Sequence, residues 1–120
     1  MSSIPVAILG ATGMVGQRMI ERLANHSQFH IVYVGASSRS AGKMYSAACI
    51  WRLESPCPTA VATMTVGECN VTSVPQECRL VFSALDSSVA GDIEMAHSLA
   101  GRYVVSNAGN HRMEPSVPLV

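Results

Sequence analysis

Val6-Ala7-Ile8-Leu9-Gly10-Ala11-Thr12-Gly13-Met14-Val15-Gly16-Gln17 is the stretch on which the reading of this chain turns. An apolar run ends on a glycine, and glycines recur at positions 13 and 16. The pattern predicts a buried strand, a tight turn and the start of a helix. In a dinucleotide fold each glycine has its own task. One permits the turn, one lets backbone approach a pyrophosphate, and one lets the helix pack on the strand. The helix then presents free N–H groups and the positive end of its dipole to phosphate. A tight strand–helix connection without a ligand is the alternative. The apolar β run directly before the turn favours the nucleotide.

The 120 residues are enough for one domain with a core. Apolar residues make up 48% of them and charged residues 13%, which suits an interior-rich α/β domain with surface meant to be covered. Eight basic residues balance eight acidic ones and form no basic stripe, so nucleic acid is not an expected partner. Met1-Ser2-Ser3 lacks the charge of a secretory leader, and no run reaches the ~18 apolar residues of a membrane span. A soluble, cytoplasmic protein without a membrane partner is the expectation. Cys49, Cys57, Cys69 and Cys78 include no Cys-x-x-Cys pair, so no metal site is expected. They read as free thiols that pack rather than attack.

Strand and helix signals alternate along the chain. Ile4 to Gly10 is a continuously apolar strand. A helix follows from about Met14 to Asn25, with Val15, Met19, Ile20 and Leu23 on its inner side. Phe29 to Ala36 reads as the second strand. Ser37 to Tyr45 is a polar loop, Ser46 to Leu53 is ambiguous, and Val61 to Val66 alternates like a strand. Arg79 to Ala84 is a buried strand. Ser88 to Ala100 is a helix capped by Ser88, with Val89, Ile93, Ala96 and Ala100 on one face and Gly101 as its stop. Arg102 to Ser106 is a further strand. The order predicts a Rossmann-type α/β fold: a doubly wound, mainly parallel sheet with helices on both faces.

Such sheets bind ligands beyond the carboxyl ends of their strands. Small and polar residues collect at these ends: the glycine turn, Ser37-Ser38-Arg39-Ser40, Leu85-Asp86-Ser87-Ser88, and Asn107-Ala108-Gly109-Asn110-His111-Arg112. An NAD site usually carries Asp or Glu about 20 residues beyond the glycines, bonded to the ribose 2′-hydroxyl. Here no acid lies between Glu21 and Glu54, and serines with Arg39 occupy the place. Hydroxyls and a guanidinium suit a 2′-phosphate, so NADP is the expected cofactor. Asp86 either faces the nicotinamide ribose or caps the helix. Arg112 either meets an anionic substrate or is an ordinary surface residue. His26 and His30 read as surface residues, and His97 as structural.

With these residues assembled, the chain resembles the aspartate-semialdehyde dehydrogenases, in their archaeal and fungal branch. The likeness rests on Gly10 to Arg18, on Gly35-Ala36-Ser37-Ser38-Arg39-Ser40-Ala41-Gly42-Lys43, on Val89 to Glu94, and on Val104-Val105-Ser106-Asn107 with Asn110-His111-Arg112. The resemblance implies reduction of L-4-aspartyl phosphate by NADPH to L-aspartate 4-semialdehyde and phosphate, a step toward lysine, threonine and methionine. It implies that Gly10, Thr12, Gly13, Met14 and Val15 cradle the pyrophosphate, and that Ser37, Ser38 and Ser40 take the 2′-phosphate. Ser83, Leu85 and Asp86 would line the nicotinamide half, and Asn110 and Arg112 would touch substrate. The family's Asn-Cys nucleophile and catalytic histidine have no counterpart here. Residues 1–120 are therefore expected to form an incomplete N-terminal NADP-binding domain, inactive alone, of an enzyme that is a dimer or tetramer of identical chains. Malonyl-CoA reductase, N-acetyl-glutamyl-phosphate reductase and a non-catalytic NADP-binding module are the alternatives.

Overall fold

The computed structural model describes residues 3–106. Four strands, β1 (Ile4–Leu9), β2 (Phe29–Gly35), β3 (Leu80–Ser83) and β4 (Tyr103–Ser106), form one sheet in the order β2-β1-β3-β4. All three pairings are parallel. The first strand is thus central, as its run of buried residues requires. Val6 pairs with Ile31 and Ala7 with Tyr33, so Val32 is an extra residue that bulges β2.

Two longer helices complete the wound frame: α1 (Met14–Leu23) and α4 (Ser87–Leu99). Between them lie two single helical turns, α2 (Tyr45–Ala48) and α3 (Thr59–Ala62). Alternate residues of a strand face opposite sides of its sheet. Val6 and Ile8 pack with Ile20 and Leu23 of α1, Tyr45 of α2 and Val61 of α3. Ala7 and Leu9 pack with Val81, Val74, Cys69, Cys78 and Ile93 of α4. Helices therefore cover both faces, and the doubly wound expectation holds.

Four local expectations are corrected. Val61 to Val66 is not a strand: Pro58 starts the turn of α3, and the extended part makes only an isolated antiparallel bridge, Met44 to Thr65. Six alternating residues cannot distinguish a helical turn followed by a bridge from a strand. The inner side of α1 is Gly16, Gln17, Ile20 and Leu23, while Val15 is exposed. Gly16 must meet the preceding turn, and that sets the rotation of the helix. The buried residues of α4 are Ala90, Glu94 and His97; Val89, Ala96 and Ala100 are exposed. Its cap position is Asp86 rather than Ser88. The ambiguous segment after Tyr45 is the short turn α2 followed by irregular chain.

Candidate functional site

The chain leaves β1 toward β2 on one side, and β3 pairs with β1 on the other. Loops at the carboxyl ends of β1 and β3 therefore diverge and leave a crevice between them. A cleft of about 590 Å³ occupies this place. It is lined by Gly10, Thr12 and Gly13; by Ala36, Ser37 and Ser38; by Glu68, Cys69 and Asn70; and by Ala84, Leu85, Asp86, Val89 and Ile93.

The glycine turn is built by close approach. Gly10 has φ +74°, and a Cβ there would stand 2.8 Å from the Ala84 carbonyl oxygen. The N–H groups of Gly10 and Ala11 both donate to Gly35 O, at 2.9 and 3.0 Å. A Cβ on Gly16 would overlap the Gly10 carbonyl oxygen, so α1 can sit against the turn only with glycine at that position. Gly13 differs: a Cβ would meet only Gly10 O, at 3.9 Å. The protein leaves room there on the cleft side.

Gly13 caps α1 with extended backbone and no side-chain bond. The first N–H groups of a helix have no intrahelical acceptor. Thr12, Met14 and Val15 donate their N–H to no backbone carbonyl among the described residues. With the helix dipole, these donors make the turn an anion site of the kind that holds phosphate.

The carbonyls on the other side of the turn are held from within. Tyr45 Oη donates to Ala11 O at 2.7 Å. Gln17 Nε2 donates to Thr12 O at 3.1 Å, and the Cys49 thiol lies 3.6 Å from the same oxygen. Burial, then the neighbouring Cys49, pushes the Tyr45 hydroxyl well above its ordinary range, so it remains a donor.

Of the expected site residues, Gly10, Thr12, Gly13, Ser37, Ser38, Leu85 and Asp86 lie together on the cleft. Met14 and Val15 stand exposed in the adjoining first turn of α1. Ser40 is half-buried in the turn after β2, where its N–H bonds Ser37 O; it is not on the lining. Ser83 is fully buried, and its hydroxyl accepts the Leu85 N–H at 3.5 Å. Asp86 stands at the cap position of α4 without making a side-chain cap bond, and its side chain is exposed at the cleft. Asn110 and Arg112 lie outside the described residues.

The wall formed by Glu68, Cys69 and Asn70 has no counterpart in the motifs of the sequence. Its position follows from the parallel bridge of Gly67 to Gly35, a contact made far along the chain. Burial raises the Cys69 thiol, which donates to Ala36 O at 3.7 Å. It stays a thiol and packs. A buried pair holds this wall from behind. Arg102 donates to Val71 O at 3.2 Å, to Val74 O at 2.8 Å and to His97 Nδ1 at 2.8 Å. His97 Nε2 lies 2.7 Å from Cys69 O. A neutral imidazole satisfies both contacts: Nδ1 accepts from the guanidinium and Nε2–H donates. His97 is structural, as its place on the helix suggested. Among the described residues no group of three or more His, Cys, Asp or Glu could hold a metal, and no helix is long and apolar enough to cross a membrane.

A parallel, doubly wound sheet with an N–H-lined glycine turn at its topological switch defines a dinucleotide-binding domain of the Rossmann type. Residues 5–120 match the semialdehyde dehydrogenase, NAD-binding domain family, and the chain belongs to that family. It is 52% identical over 118 residues to the aspartate-semialdehyde dehydrogenase of Cryptococcus neoformans, covering 98% of this chain and 32% of that protein. The enzyme of the same name from Methanothermobacter thermautotrophicus is 45% identical over 118 residues, covering 98% of this chain and 33% of the relative. A crystal structure of aspartate semialdehyde dehydrogenase with NADP from Candida albicans superposes with a TM-score of 0.92 at 49% identity, over 99% of this chain and 33% of that one. The chain thus spans about a third of the length of these relatives.

Proposed function

We propose that this chain binds NADP(H) as the cofactor domain of an aspartate-semialdehyde dehydrogenase. That enzyme converts L-4-aspartyl phosphate to L-aspartate 4-semialdehyde and phosphate in the cytoplasm, on the route to lysine, threonine and methionine. The observation that carries the reading is the turn from Gly10 to Val15, with unbonded N–H donors at a cleft that continues to Ser37 and Ser38. The pyrophosphate would take the Thr12, Met14 and Val15 donors, the 2′-phosphate the serine loop, and the nicotinamide half the Leu85–Asp86 side. Bound there, the cofactor supplies hydride. The described residues hold the cofactor and shield one side of it. Burial raises three of the four thiols, Cys57, Cys69 and Cys78, the last to about 11, which keeps those three protonated. These 120 residues alone are expected to show no phosphate-dependent oxidation of the semialdehyde; detectable turnover would overturn this.

The cofactor assignment is tested by Ser37→Asp. A carboxylate beside a 2′-phosphate repels it and accepts from a ribose hydroxyl instead. The ratio of the dissociation constants for NADPH and NADH should reverse, and a ratio that barely moves would refute the assignment. Asn110 and Arg112 are proposed to meet the substrate phosphate, and the longer enzyme to assemble from identical chains.

A further inference from the structure

Tyr45 and Gln17 sit behind the glycine turn, each 1% exposed, and neither lines the cleft. Their bonds nevertheless fix the two peptides that line it. In a trans peptide the C=O and N–H point opposite ways. The Ala11 carbonyl, drawn inward to Tyr45 Oη, turns the Thr12 N–H outward, and Thr12 lines the cleft. Gln17 fixes the next peptide through Thr12 O. The same Gln17 amide donates to Ile50 O at 3.1 Å and accepts the Arg52 N–H at 2.8 Å. Cys49 fills the space between them, 3.3 Å from Gln17 Nε2 and 3.4 Å from Tyr45 Oη. A helix needs no buried amide to pack on a sheet, and burying one costs stability unless every polar atom is bonded. The polar cluster acts on the turn.

We infer that Tyr45 and Gln17 are positioning residues for the dinucleotide pyrophosphate: they hold the Ala11 and Thr12 carbonyls inward, which aims the Thr12 N–H at the ligand and fixes the peptide before Gly13, whose own N–H turns back to Gly10 O at 3.4 Å. The inference rests on the NADP-binding reading above. Tyr45→Phe keeps the ring and removes the donor, and Gln17→Met keeps the volume and removes the amide. In the full chain, each should raise the dissociation constant for NADPH about tenfold, roughly the worth of one well-placed hydrogen bond. Each should leave that for adenosine 2′-monophosphate, which lacks a pyrophosphate, within about twofold. NADPH affinity unchanged in a folded variant, or both ligands weakened in parallel, would overturn the inference. The unaltered chain gives a second measurement independent of how the variants fold: titration with inorganic pyrophosphate should shift the Thr12 amide resonance, and an unmoved Thr12 amide counts against it. An unaltered chain that binds neither NADPH nor pyrophosphate removes the NADP reading itself.

Discussion

Gly13 and Gly16 look alike in the sequence and differ in what surrounds them. A methyl at Gly16 overlaps the Gly10 carbonyl, whereas one at Gly13 has room. Gly16→Ala should cost about 1–3 kcal/mol in urea melts, the usual cost of forcing backbone apart. Gly13→Ala should leave the melt within about 1 kcal/mol and, on the proposed cofactor site, weaken NADPH instead, because its open side faces the cleft. His97 supplies a pH dependence. Its pKa is lowered by burial, opposed by its bond to Cys69 O, and lowered further by Arg102. The groups facing it are that carbonyl and that guanidinium. The unfolded chain binds the proton more readily than the folded one, so stability rises with pH across the window. The contribution is complete above about pH 6.5 and is lost as pH falls toward the folded value. Urea midpoints between pH 7.5 and 5 should show this slope, and His97→Gln should flatten it. Gly10, Gly13, Ser37 and Ser38 were legible as cleft residues because their turn chemistry is local, whereas Ser40 and Ser83 lie off the lining. Tyr45, Gln17 and Glu68 were not legible: their roles arise from contacts across more than thirty residues, which no local pattern encodes.

At the scale of the element, a continuous apolar run marked the central strand, and short alternation misled where it was not a strand. The first strand is apolar throughout because helices cover both sides of it. Val61 to Val66 alternates for another reason: one turn and one bridge each happen to turn a valine inward. The helix α4 misled in rotation, because its inner face carries Glu94 and His97 while Val89, Met95 and Leu99 stay outside, the last 81% exposed. Tyr103, on the adjoining edge strand, is 74% exposed. Beyond β4 no further strand pairs among the described residues. An exposed apolar helix face invites association. The chain should therefore self-associate in light scattering at high concentration, and Met95→Lys with Leu99→Lys should reduce this while shifting unfolding by no more than about 0.5 kcal/mol per site. Undiminished association would place the sticky surface elsewhere.

For the molecule as a whole, NADPH at a hundredfold excess over its dissociation constant should stabilise the fold by about 2.7 kcal/mol, read as a rise in the melting midpoint. When in folding that gain arrives depends on the central place of β1. It pairs with Ile31 of β2 after a short loop, but with Leu80 of β3 across a loop about three times as long. The β1-α1-β2 unit can nucleate early, since nearby contacts cost the least chain entropy. The Leu85–Asp86 side of the cleft exists only once β3 has docked. Ligand therefore finds its site late, on the native side of the barrier. In stopped-flow experiments NADPH should slow unfolding and leave the refolding rate unchanged. The strand that makes the crevice also makes the cofactor a kinetic lock on a fold already formed, and not a template for forming it.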